Sequence, residues 1–227
     1  MINFNKINLG IVNIFIIQYK DGYILVDTGL SSSYNLILKK LKKRKIDLKD
    51  VNYIILTHHH YDHSGSLAKI LKENNEIKLI VHEKELKALS KGKSILGEKA
   101  LMSKPFTFLM KKTKPKYTNF ESVFIKKGDI VIENDSYSLK KIGIDAKIIF
   151  TLGHTVGSVS ILFSNGDTIV GDLIINLRLI KGYKPFVAFN YAEIMKSIKH
   201  LKELGAKILY PSHGSKVNID EILDNPF

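Results

Sequence analysis

One short polar stretch follows directly on a run that the hydrophobic pattern marks as a buried strand. Residues 57–65 read THHHYDHSG and hold four of the chain's 8 histidines, and residues 51–57 before the histidines read VNYIILT. A loop lets such side chains converge, because no regular helix or sheet fixes their directions. Imidazole nitrogens and a carboxylate at this density are typical of a metal site. A chance run or a terminal tag is the alternative, but a tag would lie at a chain end and lack the aspartate.

Apolar runs and amphipathic stretches alternate along the chain, which indicates an α/β fold in layers. Gly22 in KDG and the segment SNGD predict two hairpin turns, and Ser64 is the predicted cap of a helix. Strands are predicted at 11–19, 23–27, 51–57, 77–82, 129–132, 146–151, 157–163, 167–171 and 207–210, and helices at 32–45, 64–74, from 83, at 191–204 and at the end. Two segments have a similar pattern, in which an apolar strand leads to an aspartate close to a glycine: YILVDTG and DTIVGDL. This weak similarity would suit two similar halves of a β-sandwich.

Length and hydropathy predict a single domain over 1–227 with a sizeable core. Residues 91–120 mix lysine with phenylalanine, methionine and tyrosine and contain prolines, so we expect an inserted, helical cap there. No apolar run approaches the ~20 residues that span a bilayer. The expectation is a soluble, cytoplasmic protein without a membrane partner.

The cysteine content limits the possible metal ligands, and the net charge bears on the possible binding partners. The chain has no cysteine, so any metal must bind to histidine and carboxylate. The formal net charge of +13 would attract anionic substrates or nucleic acid. Lysine is abundant throughout, as in KKLKKRK at 39–45, so a compositional bias with solvated helix faces is the favoured explanation of the charge. Both interpretations stay open.

One loop cannot complete two metal shells, so further ligands are needed. The sequence offers three, each after a β-rich run and beside or near a glycine: His154 in TLGHTVGS, Asp172 in IVGDL and His213 in YPSHG. Glycine permits close approach of the backbone at such points.

The segments HHHYDH, GHT, GD and SHG, in this order and at these intervals, resemble the metallo-β-lactamase-fold hydrolases over nearly the whole chain. The resemblance implies a four-layer αβ/βα sandwich with a dinuclear site at one edge. It assigns seven metal ligands: His58, His60 and His154 to the first ion, Asp62, His63 and His213 to the second, and Asp172 as the bridge.

The resemblance also implies chemistry. Two divalent cations, zinc first and iron or manganese as alternatives, would lower the pKa of a shared water and polarise the bond to be cleaved. Asp62 and Asp172 are the candidate catalytic residues, Asp62 because it can also orient the resulting hydroxide.

Other polar residues near these motifs have two interpretations each. Asp27 in VDTG either holds the second N–H of a ligand histidine or forms a turn after a strand. His59 has no ligand role in the pattern and is expected to face away from the metals. His82 and His200 are interpreted as structural or surface histidines.

The bridging aspartate and the missing cysteine ligand resemble glyoxalase II, the acyl-homoserine lactonases, and the phosphodiesterase and ribonuclease branches, and the chain as a whole is most similar to the small stand-alone bacterial hydrolases of this fold. They imply hydrolysis of a small ester, thioester or lactone; the alternative is a phosphodiesterase or nuclease acting on nucleic acid. We expect a small-molecule substrate, with an anionic one as the hypothesis, and the oligomeric state is open. Candidate substrate contacts lie in the loop at 178–191: Arg178, Lys181, Tyr183, Lys184 and Tyr191.

Overall fold

The computed structural model describes residues 4–95, 118–178 and 181–226 in full, and the backbone of 101–102. The described residues form two compact units. The first unit ends at Ile95 and resumes over Thr118–Glu133, and the second holds Leu101–Met102 and everything from Asn134 onward.

The first unit carries a six-stranded mixed sheet. Its elements are β1 (Phe4–Asn8), β2 (Asn13–Tyr19), β3 (Gly22–Val26), α1 (Tyr34–Lys42), β4 (Val51–Ile55), α2 (Tyr61–Ser64), α3 (Leu67–Glu73), β5 (Lys78–His82), α4 (Leu86–Lys91) and β7 (Ile130–Ile132), with 3-10 turns at 31–33, 48–50 and 83–85. The strand order is β1-β2-β3-β4-β5-β7.

Pairing in this sheet follows from the connections. Strands β1 to β3 are joined by short turns and pair antiparallel, whereas β3, β4, β5 and β7 pair parallel because helices connect them. The central strands are apolar on both faces, as parallel strands covered on both sides must be. Ile54, Leu79 and Ile37 of α1 lie in one fully buried cluster.

The second unit carries another six-stranded sheet, of order β14-β13-β11-β10-β9-β8, and a two-stranded pair of β6 with β12. Its elements are β6 (Leu101–Met102), β8 (Ser136–Ser138), a 3-10 turn (Leu139–Ile142), β9 (Ala146–Phe150), β10 (Val159–Phe163), β11 (Asp167–Asn176), β12 (Val187–Ala188), α5 (Tyr191–Glu203), β13 (Ile208–Gly214), β14 (Val217–Asn218) and α6 (Ile219–Asp224).

One helical crossover positions the site residues of this sheet. Helix α5 links β11 to the parallel strand β13, and its buried face, which includes Ile194, Ile198 and Leu201, packs with Leu209 of β13. Asn190 caps the helix by accepting bonds from the amides of Ala192 and Glu193. Polar residues on the other side of α5 stay exposed. The amphipathic pattern therefore predicted this helix correctly.

Most predicted elements are confirmed to within a few residues, but two strands run further than expected. The prediction ended strands at 171 and 210, whereas β11 continues to Asn176 and β13 to Gly214. The parallel pairing resumes at Ile175 and His213 after register shifts around Gly171. The loop at 178–191 therefore follows the end of β11 at Asn176 and is separated from Asp172 by the last residues of that strand.

The helix after the histidines also differs from the prediction. Ser64 is the last residue of the short α2 instead of a cap, and α3 starts only at Leu67. Its hydroxyl donates to the backbone carbonyls of His59 and His60. Ser64 thus stabilises the histidine loop, because its hydroxyl bonds to carbonyls four and five residues before it in the chain.

Most of the inserted segment predicted at 91–120 lies outside the described residues. Within the part that is described, Leu101–Met102 pairs antiparallel with β12, and Lys93 bridges to Asn119. None of the helices in the described ranges is long and apolar enough to cross a bilayer.

Gly65 closes the turn behind the histidine loop, where its amide donates to the Gly29 carbonyl at 2.9 Å. A Cβ added there would overlap the Ser31 amide nitrogen and the Tyr61 carbonyl oxygen. We predict that Gly65→Ala lowers the free energy of unfolding by about 3 kcal/mol, because backbone atoms cannot move aside as a side chain would.

The matched control is Gly10→Ala. Gly10 has φ 101° and its added Cβ would meet no described atom within 4 Å, so only backbone strain of about 1 kcal/mol is expected. Urea unfolding of both variants measures the difference. Equal losses in the two variants would contradict the close packing at Gly65.

Candidate metal centre

A fully buried carboxylate organises the histidine loop of the first unit. Asp27 follows β3 with a left-handed backbone, φ 64°, and is 0% exposed. Its Oδ1 accepts from the Thr57 amide, and its Oδ2 accepts from the Thr57 hydroxyl and from Nδ1 of His63, each at 2.8 Å. Asp27 thus holds the Nδ1–H of a predicted ligand histidine, as one of its two interpretations requires, and its positive φ also places it in a turn after the strand.

These bonds determine the tautomers of two histidines. A carboxylate only accepts, so Nδ1 of His63 carries the hydrogen and Nε2 carries the lone pair. Thr57 gives its single hydroxyl hydrogen to Asp27, so its oxygen accepts from Nδ1 of His58, 3.1 Å away. His58 is thereby also left with its lone pair on Nε2.

The four predicted ligands of this unit lie close together. The His58 ring lies 4.0 Å from the His63 ring and 4.7 Å from the His60 ring, between centroids, and all three residues are buried. His58 and His60 offer ligand nitrogens within 4.8 Å of each other, and a carboxylate oxygen of Asp62 lies within the same distance of a ring nitrogen of His63. Asp62 is only partly buried, and its Oδ1 lies 3.8 Å from Nε2 of His63.

His59, between two ligands, has its own buried partners. Its Nδ1 donates to Oε2 of Glu85, and its Nε2 accepts from the Ile95 amide at 2.9 Å. Both ring nitrogens are therefore used within the first unit. The expectation that His59 has no ligand role is consistent with these contacts.

In the second unit a backbone carbonyl orients His154. Nδ1 of His154 donates to the Val187 carbonyl at 2.8 Å, which leaves the lone pair on Nε2. The turn that carries His154 is bonded to the same loop by the amides of Phe189 and Asn190. Gly153 has φ 141° and a Cβ there would lie 2.5 Å from the amide nitrogen of Ile194, so this turn requires glycine.

Asp172 lies between the other two ligand candidates of this unit. Its Oδ2 is 3.6 Å from Nε2 of His154 and 3.4 Å from Nε2 of His213. Gly171 before it has φ 54°, and the register of β11 against β13 shifts on both sides of this glycine. The irregularity re-aims the Asp172 side chain within a strand, as bulges near functional sites do.

The donor set fits divalent metal ions of the zinc, iron or manganese type. His58, His63 and His154 each have Nδ1 fixed by a hydrogen bond so that Nε2 offers a lone pair, the arrangement found behind metal-ligating histidines. Carboxylate oxygens of Asp62 and Asp172 lie within 4 Å of histidine Nε2 atoms. These are nitrogen and oxygen ligands without thiolate, which suits those metals.

Three side chains of the loop at 178–191 form contacts within the second unit that the sequence did not indicate. The Tyr183 hydroxyl donates to Glu221 and the Tyr191 hydroxyl to the Pro185 carbonyl, while Lys184 lies over the Tyr191 ring at 4.0 Å. Burial raises the pKa of both tyrosines. These contacts favour structural roles for the three residues. Arg178 and Lys181 are exposed.

The two histidines set aside in the sequence have the expected surroundings. His82 is buried, and its Nδ1 accepts from the Lys84 amide and so caps the 3-10 turn after β5. His200 lies on the exposed side of α5, where its Nδ1 is 3.7 Å from Glu203.

Two supporting residues were missed by sequence reasoning. Thr57 stands directly before the histidines, and a hydroxyl between a buried strand and a ligand was a signal that could have identified it. Glu85 had no such signal, because its partner His59 lies 26 residues away.

Comparison with known proteins agrees with this geometry. Residues 7–213 match the family model of the metallo-β-lactamase superfamily. A protein of Methanocaldococcus jannaschii named as a "Probable metallo-hydrolase" is 30% identical over 84% of this chain and 82% of its own length. A Bacillus subtilis protein with the same description is 27% identical over 74% of this chain and 62% of its own length.

Solved structures show the same fold. BJP-1, a subclass B3 metallo-β-lactamase of Bradyrhizobium japonicum, aligns with a TM-score of 0.63 at 23% identity and covers 89% of this chain and 71% of its own. The predicted fold class, mixed α and β with two sheets, is thereby confirmed.

Fold, ligand chemistry and relatives together define a metal-dependent hydrolase. The chain belongs to the metallo-β-lactamase superfamily.

The first test of the candidate metal centre is a substitution of Asp27. We predict that Asp27→Asn lowers metal affinity about 10-fold to 100-fold, because an amide cannot accept all three hydrogen bonds that fix Thr57 and His63. Asparagine tolerates the left-handed backbone, so the turn should persist. Competition with a chromophoric chelator measures the affinity.

Asp50→Asn is the control, because Asp50 accepts the Asp47 amide in an exposed turn of the same unit. An Asp27→Asn variant that binds metal as tightly as the control would show that this carboxylate only shapes the turn.

Proposed function

We propose that this protein is a dinuclear metal-dependent hydrolase of small esters, thioesters or lactones, with zinc as its metal. The observation that carries the proposal is the shared tautomer of His58, His63 and His154. Three unrelated acceptors, a hydroxyl, a carboxylate and a backbone carbonyl, each fix Nδ1 and direct the lone pair to Nε2. A purely structural role for these histidines would not require the same tautomer three times.

In this proposal His58, His60 and His154 hold one ion, and Asp62, His63 and His213 hold the other. Asp172 is the shared ligand, since its Oδ2 lies near Nε2 of both His154 and His213. The seven residues are those that the sequence motifs assign.

The metal ions and the side chains of the protein have different roles in the proposed reaction. When bound, the two ions supply Lewis acidity, which lowers the pKa of water and polarises the carbonyl oxygen of the substrate. Asp62 accepts a hydrogen bond from the attacking water and orients it, which its partial exposure permits. Asp172 fixes the spacing of the ligands on either side of it.

Preference for a carboxylic substrate rests on the spread of the positive charge. A bridging aspartate with histidine ligands and no cysteine resembles the glyoxalase II and lactonase type and equally the phosphodiesterase and ribonuclease branches, so the donor set leaves both substrate classes open. In the described residues exposed lysines occur on α1, α3 and α5 alike, which favours solvated helix faces over a dedicated nucleic-acid groove.

The proposal is tested first by metal content. Purified protein should bind about two zinc ions per chain, and Asp172→Ala should reduce that number and abolish hydrolysis, because both ions lose a ligand. Elemental analysis and isothermal titration measure it. Asp167→Ala, on the same strand β11 and bonded to Asn165, is the control and should keep both ions. Metal-free protein that takes up no zinc, iron or manganese would refute the proposal.

Substrate class is tested with a matched panel. An ester, a thioester, a lactone and a phosphodiester with the same chromophoric leaving group should show hydrolysis of the carboxylic compounds far above that of the phosphodiester. The reverse order would favour a phosphodiesterase or nuclease with the same ions.

An anionic substrate would be attracted by the two exposed cations of the loop, Arg178 and Lys181. We predict that replacing both by alanine raises KM for an anionic ester about 10-fold, leaves KM for a neutral ester unchanged and alters kcat little, the pattern of lost uniform binding.

Lys141→Ala with Lys199→Ala removes the same charge from other exposed positions of the second unit and should leave KM unchanged. Equal changes in the two double variants would assign the effect to overall charge.

A further inference from the structure

The buried pair of His59 and Glu85 is outside the ligand set, yet it lies within the ligand loop. His59 is 2% exposed and Glu85 is 0% exposed. Oε2 of Glu85 accepts both from the His59 amide, at 2.8 Å, and from Nδ1 of the same residue. A buried carboxylate is costly unless hydrogen bonds offset its desolvation, so this two-point contact restrains the residue strongly.

The other side of His59 is restrained too. Its Nε2 accepts from the Ile95 amide at 2.9 Å, and two residues further along the loop the Tyr61 amide donates to the Ser94 hydroxyl at 3.0 Å. The loop is therefore bonded at residues 59 and 61 to Glu85, the last residue of the 3-10 turn before α4, and to the segment 94–95.

These hydrogen bonds affect the predicted metal ligands because of where His59 lies in the sequence. His59 lies between His58 and His60, and His60 precedes the helix that carries Asp62 and His63. A shift of the His59 backbone would displace ligands on both sides, and displacements of about 1 Å are large for a coordination shell.

We propose that Glu85 and His59 are positioning residues of the metal site, which hold the ligand loop in its binding geometry before any ion arrives. The inference rests on the proposed metal site. Asp27 fixes individual ligand rings, whereas the Glu85 and His59 pair fixes the backbone between ligands. The two carboxylates thus act on different parts of the same loop.

The test compares His59→Ala, His59→Asn and Glu85→Gln with Asp129→Asn. Asparagine can place an N–H where Nδ1 of His59 lies, so it retains the bond to Glu85. Asp129 is the matched control for Glu85→Gln, because its carboxylate also accepts two amides of the first unit, those of Leu79 and Lys126, each at 2.8 Å. None of these residues is a proposed ligand.

The first readout needs no metal. Hydrogen exchange of the metal-free proteins should show faster exchange at residues 57–64 in His59→Ala and Glu85→Gln, while β2 and β3 keep wild-type protection. Asp129→Asn should instead affect the region of β5. Uniform acceleration across the first unit in Glu85→Gln would mean that the pair only stabilises the fold and would overturn the proposal.

The second readout is zinc affinity by chelator competition, with the visible absorption spectrum of the cobalt form as a report on geometry. His59→Ala and Glu85→Gln should bind zinc about 10-fold to 100-fold more weakly and show an altered cobalt spectrum. His59→Asn should recover most of the loss. Wild-type affinity in both variants would overturn the positioning role.

The proposed metal site and the proposed positioning role can be refuted independently of each other. Wild-type protein without metal uptake refutes the dinuclear site, and the exchange data on metal-free protein still decide whether Glu85 and His59 hold the loop. Metal uptake by wild type with unchanged variants refutes the positioning role alone.

Discussion

The buried charge of Asp27 is the interaction on which the first unit's ligand loop depends. Its carboxylate has no contact with solvent and is compensated by three hydrogen bonds, two from Thr57 and one from His63. Desolvating a carboxylate without such bonds costs several kcal/mol, so the chain cannot release Thr57 or His63 cheaply. The end of β4 and the helix that carries His63 are thereby held to the end of β3.

In the second unit an uncharged acceptor fixes the same histidine tautomer. His154 is held by the Val187 carbonyl, and its turn is closed by backbone bonds from Phe189 and Asn190. A neutral hydrogen bond contributes about 1 kcal/mol, less than one to a buried charge. The ring of His63 is therefore held more firmly than that of His154, and the position of His154 depends on the loop that also carries the candidate substrate contacts.

Local patterns were sufficient to predict the elements and the ligand candidates, but not where two strands end. The strands were predicted to end at 171 and 210, before the polar Asp172 and His213, whereas the pairing of β11 with β13 continues past Asp172 to Asn176 and Gly214. Ser64 looked like a cap because capping is a local rule, and its hydroxyl instead satisfies carbonyls of the histidine loop. Glu85 was beyond prediction, since the choice of a partner 26 residues away is made by tertiary packing.

The four carboxylates around the ligand loops also bear on metal binding as a charge balance. In the proposed site two divalent ions would bring four positive charges, and Asp62 and Asp172 would offset two of them. The two buried carboxylates, Asp27 and Glu85, supply two more negative charges behind the histidines, where screening by solvent is weak. The formal net charge of +13 disfavours cation binding, and these carboxylates would offset it locally in the proposed site. Asp27 accepts from Thr57 and from the predicted ligand His63, so in this proposal metal binding is coupled to the folding of the histidine loop.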